Sequence, residues 1–122
     1  MARILVVEDN ADNMTLLQFL LKSAGHIVLA ATDAEAGLTL ARTEQPDLIL
    51  MDIQLPGMDG LEAAGLLKQG DATRAIPVIA LTALAMKGDE ERIRAAGCDG
   101  YISKPIRYKE FLEAVGAQLA AA

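Results

Sequence analysis

Pro46-Asp47-Leu48-Ile49-Leu50-Met51-Asp52 sets four unbroken apolar residues directly before an acid. A strand with one face in water alternates apolar and polar residues. An unbroken run suits a strand covered on both faces, as in a parallel sheet. Four further runs have the same character: residues 4–7, 27–31 and 78–81, and the region around Tyr101-Ile102. Helical patterns fill the gaps. Met14, Leu17, Leu21 and Ala24 follow the 3.6-residue period, and Gly25 offers a left-handed stop. Thr32-x-x-Glu35 reads as a capping box opening a second helix that runs towards Thr43. Asp59-x-x-Glu62 offers the N-cap of a third. Residues 89–96 form a charged helix with Glu90 and Arg94 four apart, closed by Gly97. Tyr108, Phe111, Leu112, Val115 and Leu119 mark a fifth apolar stripe.

Five βα units in succession predict an α/β domain with a parallel sheet. The 122 residues are expected to form one domain, residues 1–122. With 52% hydrophobic and 23% charged residues, the composition excludes disorder. Eleven basic and 17 acidic residues leave a net charge of −6, a poor balance for gripping a nucleic-acid backbone. A cation or a basic protein surface is the better-matched partner. Cys98 stands alone, so neither an internal disulfide nor a zinc spacing is available. No stretch has the length of a signal-peptide core or a membrane span, so a soluble, cytoplasmic protein is expected.

Parallel sheets carry function outside the carboxyl ends of their strands, at a topological switch point. Glu8, Asp9 and Asn10 follow the first run, and Asp52 follows the third. Thr82-Ala83 follows the fourth, and Ser103-Lys104-Pro105 the fifth. Three carboxylates brought together repel, so at least one pKa should rise unless a cation intervenes. Mg²⁺ suits such a group, because it takes one or two carboxylates and keeps waters that a phosphoryl group can replace. A lysine and a hydroxyl can meet the remaining phosphoryl oxygens. Neither GxxxxGK[ST] nor GxGxxG occurs, which argues against a nucleotide held in those ways. The residues point to a Mg²⁺-assisted phosphoryl site.

Several segments, in order and at matching spacing, resemble the receiver domain of a two-component response regulator. They are residues 4–10, residues 46–52, Leu55-Pro56-Gly57-Met58-Asp59-Gly60, Ala80-Leu81-Thr82-Ala83 and Tyr101-Ile102-Ser103-Lys104-Pro105. The stretch 86–92 resembles single-domain receivers of the DivK type and receivers attached to hybrid histidine kinases. The resemblance implies a flavodoxin-like (βα)5 fold, doubly wound, with strand order 2-1-3-4-5. It implies that Asp52 accepts a phosphoryl group from a histidine kinase or histidine phosphotransferase. Mg²⁺ would be held by Asp9, Asp52, the backbone carbonyl of Gln54 and Glu8, the last mainly through water. Glu8 stands where aspartate is commoner. Thr82, the Ala83 amide and Lys104 would bind the phosphoryl group. Tyr101 would turn inward as Thr82 moves. The Lys104–Pro105 peptide would be cis, and Gln54 and Leu84 would flank the hydrolytic water. Output would pass to a protein through the face from Leu84 through Tyr101 to Leu119, made by the fourth helix, fifth strand and fifth helix. The expected activity is a phosphorylation switch, with no enzymatic turnover beyond its own phosphorylation and dephosphorylation.

Plainer roles fit other residues. Asp59 reads as a helix cap, His26 as a turn or surface residue and Cys98 as a small buried hydrophobe. Met1 directly before the first strand favours a free-standing regulator. A receiver cut from a hybrid kinase or larger regulator, and a relay without output, are the alternatives. A metabolite hydrolase with an aspartyl-phosphate intermediate would usually carry a second acid two residues after its nucleophile, where this chain has Gln54. A binding module that is never phosphorylated would have no use for Asp52, Thr82 and Lys104 together.

Overall fold

The computed structural model describes residues 1–83 and 87–121, with the backbone alone for residues 87 and 88. Strands β1 (Arg3–Val7), β2 (Ile27–Ala31), β3 (Leu48–Asp52), β4 (Val78–Thr82) and β5 (Gly100–Ser103) alternate with five helices. These are α1 (Ala11–Ser23), α2 (Ala34–Glu44), α3 (Gly60–Gln69), α4 (Lys87–Ala95) and α5 (Tyr108–Ala121). All strand pairs are parallel and the order is β2-β1-β3-β4-β5. This is the doubly wound flavodoxin-like arrangement expected from the sequence. The chain leaves β1 for β2 on one side and returns to β3 on the other. The carboxyl ends of β1 and β3 therefore lie side by side where their connections diverge.

Strand alternation divides the core into two layers. Leu5, Val7, Ile49, Met51, Val78 and Ala80 face Leu38 and Ala41 of α2, Ala63, Ala64 and Leu67 of α3, and Ile93 of α4. Ile4, Val6, Leu48, Leu50, Ile79, Leu81 and Ile102 face Leu17, Leu20 and Leu21 of α1, and Phe111 and Val115 of α5. Every residue of β3 and β4 is buried, which is why their sequences run apolar without alternation.

The edge strands depart from that reading. β2 keeps only Ala31 buried and exposes Ile27, because one of its sides has no neighbouring strand. β5, at the other edge, buries only Ile102. The second helix also starts differently from the expected capping box. Asp33, not Thr32, is its N-cap, and the Asp33 carboxylate accepts from the Ala36 amide at 2.8 Å. A carboxylate one residue nearer the helix reaches the free amides of the first turn, so the threonine is not needed. Two positions of the expected apolar stripes face water: Ala24, the C-cap of α1, and Tyr108, the first residue of α5. Gly25 and Gly97 do adopt positive φ. Asp59 caps α3 by accepting from the Glu62 amide at 2.8 Å. Glu90 and Arg94 pair across one turn of α4 at 3.5 Å.

Candidate phosphoryl and metal site

The switch point gathers the acids. Glu8 and Asp9 follow β1, and Asp52 is the last residue of β3. One carboxylate oxygen from each of the three lies within 4.8 Å of the others. Asp9 is exposed, whereas Glu8 is 0% and Asp52 2% exposed. The sheet sets these depths: the Glu8 amide still donates to Ala31 O at 3.0 Å, continuing the β1–β2 ladder. The Asn10 amide donates to Glu8 Oε2 at 3.4 Å, and the Gln54 amide donates to Asp52 Oδ1 at 2.9 Å.

Lys104 reaches the group from the fifth strand's end. Its amide donates to Thr82 O at 2.7 Å, and the Lys104–Pro105 peptide is cis. Its Nζ lies 3.0 Å from Asp52 Oδ2 and 3.0 Å from Glu8 Oε1. The ammonium is aligned to donate to Asp52. Glu8 Oε1 is buried and, among the described residues, has no donor aligned for a hydrogen bond. Thr82 is fully buried at the end of β4, and Ala83 is exposed beside it. Tyr101 is half-buried and packs against the α2–α3 side of the core. Leu84 lies outside the described residues.

One ammonium contacts two of the three clustered carboxylates, Glu8 and Asp52, and the electrostatics follow. Burial pushes Glu8 up to about 7, and its contact with Asp52 adds to the rise against the pull of Lys104. Burial also works to raise Asp52, but hydrogen bonds from Glu8, the Gln54 amide and Lys104 outweigh it and hold Asp52 below the usual carboxylate range. For Lys104, burial favours the neutral form, yet Glu8 and Asp52 outweigh it and raise the pKa. Without a cation, Glu8 holds a proton beside an ionised Asp52 as pH falls below about 7, as expected for crowded carboxylates. Its donor set is all oxygen, and one buried oxygen lacks a donor. That chemistry fits a hard divalent cation.

Gly60 packs against the backbone of this site without the room for a side chain. A Cβ on Gly60 would lie 2.1 Å from Asp52 O and 2.6 Å from Ile53 Cα. In the sequence it stands directly after the Asp59 cap, as the last residue of the receiver-like segment Leu55-Pro56-Gly57-Met58-Asp59-Gly60. His26, by contrast, is half-buried and its Nδ1 accepts from the Ala2 amide at 3.2 Å, a local tie far from the acids in sequence.

A five-stranded parallel sheet of this order, with acids at its switch point and a lysine opposite, defines a class, and sequence comparison agrees. Residues 4–116 match the response regulator receiver domain family, and the chain belongs to it. It is a receiver domain of two-component signalling. The chain is 51% identical to the polar-differentiation response regulator DivK of Brucella anthropi, over 95% of this chain and 94% of that protein. The DivK of Brucella ovis is 50% identical over the same shares. Among solved structures, the receiver domain of a sensor histidine kinase from Pseudomonas aeruginosa superposes with a TM-score of 0.91 at 34% identity, covering 98% of each chain. That structure holds a magnesium ion coordinated in its active site cleft. A CheY-like receiver domain protein from Methanospirillum hungatei superposes at 0.91 with 29% identity, covering 99% of this chain and 95% of that one. Among the described residues, no helix is long and apolar enough to cross a membrane.

Proposed function

We propose that residues 1–122 form a phosphorylation-controlled switch in which Asp52 accepts a phosphoryl group from the phosphohistidine of a kinase or phosphotransferase. The observation that carries this reading is the clustering of acids: Glu8, Asp9 and Asp52 bring carboxylate oxygens within 4.8 Å of one another, Lys104 pairs with Glu8 and Asp52, and Glu8 Oε1 has no aligned donor among the described residues. Asp9, Asp52, the Gln54 backbone carbonyl and, mainly through water, Glu8 would hold Mg²⁺. Bound there, the ion supplies the positive charge that the entering phosphoryl oxygens need.

The chain's own groups do the rest. Asp52, ionised and held by the Gln54 amide, presents a carboxylate oxygen to phosphorus. As the new O–P bond forms, the P–N bond breaks and its electron pair stays on the donor's imidazole. Lys104 then meets a phosphoryl oxygen in place of an Asp52 oxygen, and Thr82 with the Ala83 amide meets the others. Thr82 following the phosphoryl group leaves room for Tyr101 to turn inward. That repacks the α4–β5–α5 face, which engages the downstream protein. Water later attacks the acyl phosphate and resets the switch.

Phosphotransfer from a radiolabelled histidine kinase tests the assignment. Wild-type protein should take up label, and Asp52→Asn should take up none. Equal labelling of the two would place the phosphoacceptor elsewhere.

A further inference from the structure

We infer that Gly60 is a positioning residue for phosphoryl transfer: the absence of a side chain there sets where Asp52 and Gln54 stand. The inference rests on the phosphoacceptor reading of Asp52. Gly60 is buried at the first position of α3, eight residues beyond Asp52. Ile53, the residue following Asp52, is held from two sides. The Ile53 amide donates to Leu81 O of β4 at 3.2 Å, and Ile53 O accepts from the Gly60 amide at 3.3 Å. The next amide, Gln54, donates to Asp52 Oδ1 at 2.9 Å. α3 therefore docks its first residue against the short segment that both carries the acceptor carboxylate and orients it.

The fit leaves no room for a methyl group. A Cβ on Gly60 would sit 2.1 Å from Asp52 O, 2.6 Å from Ile53 Cα and 2.8 Å from Asp52 C, and all three atoms are backbone. Real Cβ contacts below 3.0 Å essentially do not occur, so a Cβ and this oxygen, 2.1 Å apart, must separate. Gly37 and Gly97 face similar crowding, but from the side chains of Val7 and Lys68, which can rotate or bend. At Gly60 either α3 or the end of β3 must move. Either shift changes the contact between α3 and the segment that carries Asp52 and Gln54. In-line transfer requires aligned atoms, and a misplacement of about 1 Å can cost about 10²-fold in rate.

Gly70, at the other end of the same helix, supplies the control. A Cβ there would meet the Thr73 hydroxyl at 2.8 Å, a crowding that is remote from Asp52 in the chain and falls on a side chain. Gly60→Ala and Gly70→Ala are compared in trimethylamine N-oxide, which favours the folded chain. Labelling by acetyl phosphate at saturating Mg²⁺ is divided by the folded fraction from circular dichroism. Per folded molecule, Gly60→Ala should be slower by about 10²-fold and Gly70→Ala should match wild type. In metal-free protein, the Gln54 amide resonance should move in Gly60→Ala and stay in Gly70→Ala. Wild-type rates per folded molecule in both variants, or equal slowing of both, would overturn the positioning role. Failure of wild-type protein to label would instead overturn the phosphoacceptor reading, while the Gln54 resonance would still report whether Gly60 positions the segment.

Discussion

Two lysine–aspartate clusters sit at opposite ends of the sheet, and they differ in how their charges balance. At the amino end of β4, Lys68 Nζ lies 3.0 Å from Asp99 Oδ2 and donates to Ile76 O at 2.9 Å. The same Asp99 oxygen accepts from the Val78 amide at 2.8 Å. One cation meets one anion, and the Ile76 and Arg74 carbonyls accept the other donors of Lys68. At the carboxyl end, Lys104 meets Glu8 and Asp52, Asp9 adds a third acid, and Glu8 Oε1 is left without an aligned donor. The first arrangement is complete as a structural tie. The second gathers more acids than cations and holds a carboxyl raised to about 7, which marks it as the candidate site.

Exchanging the two lysines for alanine should separate the roles. Lys104→Ala should slow labelling by acetyl phosphate at least about tenfold per folded molecule, since it removes a charge that meets the transferring group. Lys68→Ala should label at the wild-type rate per folded molecule. Its cost should appear in urea unfolding instead, as a loss of about 0.5–1 kcal/mol, because the Lys68–Asp99 pair is partly exposed and water replaces the lost ammonium. Equal slowing in both variants would dissolve the distinction.

The acid-rich end should also show itself through pH. Glu8 is raised in the folded chain from 4.5 to about 7, so the folded protein holds a proton that the unfolded chain releases. The stability this contributes is complete below pH 4.5 and is lost as pH rises through about 7. Asp52 is shifted the other way, so its contribution is present above its unfolded value and is lost only at lower pH. In chelator, therefore, the protein should be less stable at pH 8 than at pH 6. Glu8→Gln should flatten that slope. An unchanged slope in Glu8→Gln would contradict the assignment of the proton.

The smallest effect belongs to the balanced end. Burial, reinforced by the neighbouring Asp99 charge, pushes the Cys98 thiol up to about 11. Native protein should therefore react with a disulfide reagent at neutral pH only as fast as it opens. Fast, stoichiometric labelling of folded protein would show that this end is less closed than its contacts indicate.

Much of this contrast was legible in the sequence for one of the ends. Strands buried on both faces announce themselves as unbroken apolar runs, and chain order then brings Glu8, Asp9, Asp52 and Lys104 to one edge. β2 was read less well, because an edge strand can be equally apolar while half its surface faces water. The start of α2 turned on a single residue, Asp33 in place of Thr32, a choice made by which carboxyl or hydroxyl reaches the first free amides. The Lys68–Asp99 tie left no local signal, since its partners are 31 positions apart and neither belongs to a motif. Gly60 was visible but mute: the need for a missing Cβ appears only once α3 is packed against Asp52. The apolar groove between α1 and α5, where Phe19 and Tyr108 are exposed, likewise depends on two helices distant in the chain.

The most direct measurement is the intact mass of the protein after incubation with acetyl phosphate, with Mg²⁺ and then with chelator. The charge imbalance at the carboxyl end predicts one added phosphoryl group in Mg²⁺, none in chelator and none in Asp52→Asn under either condition. A phosphoryl adduct of equal yield in chelator, or one that persists in Asp52→Asn, would contradict the central claim that the unbalanced acids form a cation-dependent acceptor site.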